Sequence, residues 1–310
     1  MKQKMNVNKN MKKTTKKSRV MSLQQIQKGH SNVPIRIPPI KTQGIKTKLI
    51  KFISENIDWS GKGKWIEPFF GSGVVLFNIS PKKALATESN IHIVNLYKSI
   101  QSNKITSKKV REFLELEGAK LEKHGESYYY EVRDRFNEHG NPYDFLFLNR
   151  ACFNGLMRFN SKGKFNVPFC RKPKRFSKSY VTKITNQVSW LSSLLKDKKY
   201  WKFEVMDWKK SVQNIAKNDF LYLDPPYYGR HTNYYDMWNE FDLHDLAEFL
   251  KETECSFALS LWYENKYRKN NDIQRYFSEF TINKHEHFYH VGSTEDLRNG
   301  MIEALITNTK

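Results

Sequence analysis

Cysteine is nearly absent from this 310-residue chain: Cys152, Cys170 and Cys255 are widely spaced and include no C-x-x-C pair. An odd count at such spacing argues against a disulfide framework and a structural zinc site, leaving ordinary thiols. Long apolar runs are also missing, since no window approaches the roughly 18 residues of a membrane span. The basic N-terminus is not followed by the short apolar core of a secretory signal. A soluble cytoplasmic protein is the expectation. A third absence is local: residues 145–196 contain no Asp or Glu. A fourth concerns glycine, because no full G-x-G-x-x-G dinucleotide fingerprint occurs.

Positive charge is abundant, with 53 Lys and Arg against 32 Asp and Glu, a formal net charge of +21. Residues 1–30 hold nine basic side chains and no acid, without an apolar stripe, and read as a disordered basic arm. The acid-free stretch 145–196 holds eleven basic side chains interleaved with Phe153, Phe159, Phe165, Phe169 and Phe176, so it is able to fold. A folded, acid-free, basic and aromatic surface suits a polyphosphate partner, because each cation that meets a phosphate releases condensed counterions. A solvated basic face is the plainer reading of any charge run, and it competes most strongly for the arm.

The apolar spacing alternates between strand and helix. Helical stretches are expected at Lys46 to Ile57, Ile91 to Ser99 and Leu243 to Glu252, with strands at Lys64 to Glu67, Ala84 to Thr87, Lys202 to Val205, Phe220 to Leu223, Phe257 to Leu261, His285 to His290 and Met301 to Ile306. Two charged amphipathic helices at 107–123 and 126–137 break the rhythm, so an insertion begins near residue 100. An open, mainly parallel α/β sheet with helices on both faces follows, and such sheets bind ligands at the carboxyl ends of their strands.

Three groups stand at those ends. Glu67-Pro68-Phe69-Phe70-Gly71-Ser72-Gly73 is a strand and a glycine turn that lets another molecule approach the main chain; alone, it is equally a plain strand-to-helix turn. Glu88-Ser89-Asn90 ends the next strand with a carboxylate able to accept both hydroxyls of a ribose. Asp224-Pro225-Pro226-Tyr227 follows the most apolar strand, and its prolines fix the chain in extended form, so the Asp224 carboxylate and the nearby carbonyls project as rigid acceptors. Acceptors of this kind suit a nucleobase amine, whose delocalised lone pair needs its N–H groups held, while Tyr227 offers a stacking face.

Lys41-Thr42-Gln43-Gly44-Ile45-Lys46, Glu67 to Gly73, Glu88-Ser89-Asn90 and Asp224 to Tyr227, in this order, resemble the Dam-like alpha class of DNA adenine-N6 methyltransferases. The likeness spans Pro38 to Asn308 and is especially close to the EcoRV-type modification methylases in Pro38 to Leu49, Asp144 to Cys170, Phe288 to Gly292 and Glu303 to Asn308. It implies a Rossmann-like methyltransferase sheet, S-adenosylmethionine as cofactor and duplex DNA as partner, with a functional pairing to a restriction endonuclease and a place at the nucleoid. It further implies that Lys41, Gly44 and Lys46 meet the methionine end of the cofactor. Glu67, Pro68, Phe69, Gly71 and Gly73 then lie along it, Glu88 and Asn90 serve its ribose, and Asp207 holds its adenine amine. The family commonly has Asp where Glu88 stands.

By the same resemblance, residues 101–185 form a target-recognition domain of helices and a hairpin, and 31–100 with 186–310 form the catalytic domain. Arg150, Asn154, Arg158, Asn160, Lys162, Lys164, Arg171, Lys172, Lys174, Arg175 and Arg230 are the expected DNA contacts, with Arg158 and Asn160 reading base edges. Tyr128 to Asn137 is expected to be structural. The mechanism implied is direct transfer to an extruded adenine by Asp224, Pro225, Pro226 and Tyr227, with no covalent intermediate and no metal; His285, His287 and His290 read as a sheet surface. An RNA guanine-N2 or adenine-N6 methyltransferase, a protein glutamine methylase, and a DNA-binding protein with an inactive fold remain as other readings.

Overall fold

The computed structural model describes residues 34–227, 238–288 and 300–308. The arm 1–30, Arg230, His290 and most of Phe288 to Gly292 lie outside them.

Strands β1 (Trp65–Glu67), β2 (Ala84–Glu88), β3 (Trp201–Val205), β4 (Phe220–Leu223), β5 (Ser256–Asn265), β6 (Thr281–Phe288) and β7 (Gly300–Thr307) form one sheet in the order β3-β2-β1-β4-β5-β7-β6. The first five are parallel, and β7 runs antiparallel between β5 and β6. Alternate side chains of a strand go to opposite faces. Trp65, Phe220 and Tyr222 join one buried cluster, and Ile66, Leu221 and Leu223 join the other. Burial on both faces is why β4 reads as an unbroken apolar run.

Helices α1 (Ile50–Glu55), α2 (Val74–Ile79) and α3 (Ile91–Gln101) pack on the first cluster. The insertion follows as α4 (Ser107–His124), α5 (Glu126–His139), α6 (Pro142–Ala151) and α7 (Lys178–Lys196), continuous with the same core. On the other face lie α8 (Trp208–Ser211), α9 (Glu240–Glu252) and α10 (Asn271–Phe277).

Within the insertion, Arg135 donates through Nε to Asp144 at 2.9 Å and through Nη2 to Glu117 at 2.8 Å, joining α4, α5 and α6. Tyr128 donates to Glu117 at 2.7 Å and Tyr129 to the Val167 carbonyl at 2.8 Å. Asn137 clasps the backbone of Phe165 from both sides, at 2.7 and 3.1 Å. The Tyr128 to Asn137 segment thus braces the outgoing arm of the expected hairpin, at Phe165 and Val167. Helix α7 runs unbroken across residue 185, where the sequence reading divides two domains.

Candidate active site

Strand order reverses between β1 and β4, since the chain leaves β1 for β2 and β3 and returns to β4. A crevice forms at such a switch point, and the Glu67 to Gly73 turn and Asp224 to Tyr227 leave the two strands that flank it. Gly73 has φ +71° and caps α2, and a Cβ there would come within 2.5 Å of the rings of Phe70 and Phe77, so only glycine fits. A Cβ on Gly71 would meet nothing, which leaves that side of the turn open to a ligand.

Glu88 ties this turn to the end of β2. Its Oε2 accepts from Gly71 N at 2.8 Å and its Oε1 from Asn90 N at 3.2 Å. Burial pushes the Glu88 carboxyl above its ordinary range, against those donors. Asn90 is buried and caps α3 by accepting from His92 N at 2.9 Å. Two residues beyond the neighbouring β3 stands an exposed Asp207, which caps α8 at 2.8 Å from Lys209 N. Pro68 is buried, while Phe69 is half-buried against Trp208 and Trp238, with ring centres 6.5 and 5.2 Å away. These two tryptophans lie beside the open turn, and the sequence reading did not single them out.

Glu67 is expected along the cofactor. Its side chain is buried and accepts from Trp65 Nε1 at 2.9 Å. Burial, with Asp224 nearby, pushes its carboxyl up to about 8, so it is neutral at pH 7.

At the end of β4, Asp224 Oδ1 stands 2.8 Å from Lys46 Nζ, whose side chain is only 3% exposed. Lys46 also donates to the Gly44 carbonyl at 3.1 Å and to the Tyr227 hydroxyl at 3.0 Å. Tyr227 in turn donates to Glu303 on β7 at 2.7 Å, and Glu303 is buried. Burial raises the Asp224 carboxyl to about 6 while Lys46 opposes the rise, so Asp224 is ionised at neutral pH. Pro225 is buried, and Pro226 and Tyr227 are half-buried. Glu303 is a member of this network that the sequence reading missed; a lone acid inside the apolar run of β7 is the signal for it.

The Lys41 to Lys46 segment is fixed from the insertion. Asn149 of α6 is fully buried and spends both ends of its amide on Lys41, accepting from its N and donating to its carbonyl, each at 2.8 Å. Gly155 lies against the same residue, and a Cβ there would come within 2.7 Å of Lys41 Cδ. Burial lowers the Lys41 ammonium, and Arg150, Arg175 and Lys183 add to that effect against Tyr180.

The expected DNA contacts divide. Asn154, Lys162, Lys164, Arg171, Lys172 and Lys174 are exposed. Arg150 is not: it is 2% exposed and donates to the Pro39 carbonyl at 2.7 Å and to Gln187 at 2.6 Å, so it braces the insertion from within. Arg175 is half-buried, donating to the Arg150 carbonyl at 2.7 Å and to Tyr180 at 2.8 Å. Phe159 and Phe165 pair across the expected hairpin, but its two readers are engaged inside it. Arg158 donates to Asn166 Oδ1 at 2.9 Å and to the Asn166 carbonyl at 3.2 Å. Asn160 Oδ1 accepts from the backbone of Lys162 and of Lys164, each at 3.0 Å, because a turn this tight leaves N–H groups without ladder partners. Among the described residues no group of three His, Cys, Asp or Glu could hold a metal ion, and His285 stacks on Phe52.

A family model of the D12 class N6 adenine-specific DNA methyltransferases matches residues 43–291. The chain belongs to this family. It is 31% identical to the type II methyltransferase M.MjaIII of Methanocaldococcus jannaschii over 87% of this chain and 98% of that protein. It is 30% identical to a DNA adenine methylase of Haemophilus influenzae, covering 72% of this chain and 78% of that protein. The modification methylase StsI of Streptococcus sanguinis is 28% identical over 79% of this chain, which spans 38% of that longer protein. The chain is therefore an adenine-specific DNA methyltransferase, of a family that implies S-adenosylmethionine as methyl donor. The RNA and glutamine readings give way to DNA. No described helix is long and apolar enough to cross a membrane.

Proposed function

We infer that this methyltransferase is site-specific, extrudes its target adenine from duplex DNA and holds it at Asp224 for one direct transfer to N6. The observation that carries this reading is the Lys46–Asp224 pair, 2.8 Å apart at the switch point, with Asp224 ionised at neutral pH. An ionised carboxylate is a pure acceptor. Asp224 and the Pro225 carbonyl take the two N6 hydrogens, which localises the amine lone pair and aims it, while Tyr227 supplies a ring face to the base. Lys46 holds the carboxylate in place. With both acceptors preorganised, little reorganisation is left for the reaction itself.

The residues present suit S-adenosylmethionine: the space over Gly71 is open, and Glu88 and Asp207 offer carboxylates at adjacent strand ends. Glu88 and Asn90 would serve the ribose, Asp207 the adenine amine, and Lys41, Gly44 and Lys46 the methionine end, with Pro68, Phe69 and Gly73 shaping the wall. The cofactor supplies an electrophilic methyl group. Residues 101–185 serve as the target-recognition domain, with Lys162, Lys164, Arg171, Lys172 and Lys174 on phosphates. Operation beside a restriction endonuclease and at the nucleoid belongs to the same proposal. The test is incubation with methyl-labelled cofactor and, separately, duplex DNA, ribosomal RNA and protein. Label should appear in N6-methyladenine at one DNA sequence; label in RNA or protein, or in adenines of every context, would contradict the proposal.

A further inference from the structure

The carboxyl edge of the sheet carries one feature that the site above does not use. Leu223 pairs with Leu259, yet β5 continues on to Asn265, beyond the end of β4. There the chain folds back, with Glu264 bridging Lys269 in antiparallel fashion. Asn265 N donates to the Arg268 carbonyl at 2.8 Å, and Asn265 Oδ1 accepts from Tyr267 N and Arg268 N at 2.9 and 3.0 Å. Behind this turn, buried Asn270 donates through Nδ2 to the Trp262 carbonyl at 2.9 Å. The tip is therefore set by its own hydrogen bonds, while Lys266, Tyr267, Arg268 and Lys269 are all exposed, Tyr267 by 71%. Glu264 is the one acid between Trp262 and Asn271. Lys284 of β6 adds an ammonium 3.8 Å from the Tyr263 ring centre.

Position gives this tip a meaning. The insertion packs through α6 and α7 on α3, which lies over β2 and β3. The tip rises from β5, on the other side of β4. Asp224 leaves β4 between the two. A duplex lying on the carboxyl edge with its adenine at Asp224 would run from the insertion towards the tip. We propose that the Lys266–Lys269 tip is a second DNA contact, gripping the phosphate backbone on the side of the target adenine opposite the insertion. It rests on the reading of Asp224 as the seat of the adenine. Three cations on a preformed turn lose little freedom on binding, and each releases counterions from the phosphates it meets. The exposed Tyr267 ring between two of them adds an amphipathic surface with a hydroxyl donor.

The test is the full-length protein carrying Lys266→Ala, Arg268→Ala and Lys269→Ala together. Its binding to a random-sequence duplex is followed against salt, and its affinity for S-adenosylmethionine is followed by calorimetry. The log–log salt dependence should flatten by about three units, roughly one per lost phosphate contact. Cofactor affinity and the methylated sequence should stay those of the wild type, and the hydroxyl-radical footprint should shorten on one flank only. An unchanged slope and footprint in a variant that still binds cofactor would overturn the proposal while leaving the reading of Asp224 intact. A wild-type protein that binds cofactor but no duplex would overturn both. Should the triple variant lose cofactor binding through misfolding, Lys266→Gln alone should still cost about one unit of slope.

Discussion

The ammonium of Lys46 and the carboxylate of Asp224, distant in the sequence, meet at 2.8 Å, and Lys46 opposes the effect of burial on Asp224. Burial raises Asp224 to about 6 and Lys46 keeps it from rising further. The acceptor role needs the ionised form, so turnover should be full above pH 7 and fall as pH drops through about 6. Lys46→Met removes the opposing charge, and the acid limb of the pH–rate profile should move to higher pH. A limb unmoved in Lys46→Met would separate the pair from the chemistry.

Glu67 titrates with the opposite consequence for the fold. Its folded value of about 8 lies above the ordinary carboxyl value of 4.5, so the folded state favours the protonated form. Stability from this group is complete below about 4.5 and is lost as pH rises through about 8. Glu67→Gln keeps the neutral shape and the acceptor for Trp65, so its thermal midpoint should exceed that of the wild type at pH 8 and match it at low pH. Equal midpoints at pH 8 would refute the shift.

Burial holds the Tyr227 phenol well above its ordinary range, so it stays a donor to Glu303. Glu303→Ala removes that acceptor and should cost about 1–3 kcal/mol in kcat, the scale for a buried group that loses its partner. Tyr227→Phe should cost less, and the double variant should be far from additive. Additive losses would mean that the two residues act apart.

Glu88 supports the glycine turn as well as the proposed ribose site, through Gly71 N at 2.8 Å. Glu88→Ala should weaken S-adenosylmethionine binding by about 1.5–3 kcal/mol, the range for hydrogen bonds to a charged group. DNA affinity without cofactor should not change. Calorimetry with equal cofactor affinities would return Glu88 to a purely structural role.

Asn160 has two ends to separate. Its Oδ1 builds the hairpin turn by accepting from Lys162 N and Lys164 N. Asn160→Asp keeps that acceptor and loses the amide donor, so the hairpin should persist; if the donor reads a base edge, discrimination at one base pair should relax by about 1–3 kcal/mol. Asn160→Ala should instead lower affinity for every sequence. Identical behaviour of the two variants would leave Asn160 with its turn alone.

The sheet was legible because its strands are bounded by chemistry at their ends: the observed β4 has the expected limits Phe220 and Leu223, and Glu88 does end β2. Helix α6 was not legible. Every residue from Asp144 to Ala151 is buried, which erases the one-sided stripe that marks an amphipathic helix. Helix α7 does carry such a stripe, with Val181, Ile184, Val188, Leu191 and Leu195 buried, but it spans residue 185, where the family resemblance places a boundary. In the site, the motifs at strand ends could be read because each is contiguous in the chain. Asn149 on Lys41 could not, because its meaning arises only from a partner distant in sequence; Glu303 is marked as a lone acid in an apolar run, but its partner Tyr227 is not. Arg150 illustrates the converse: a cation in a basic run, turned inward to carbonyl and amide acceptors.

The seat of the adenine at Asp224 is tested most directly by sequencing the genomic DNA of a methylation-free host that expresses either the wild-type chain or Asp224→Ala. Loss of one preorganised acceptor costs at least about 2.7 kcal/mol, a hundredfold or more in rate. The wild type should therefore leave N6-methyladenine at one sequence, and the variant, with cofactor affinity intact, should leave almost none. Full methylation by Asp224→Ala, or none by either protein, would contradict the account.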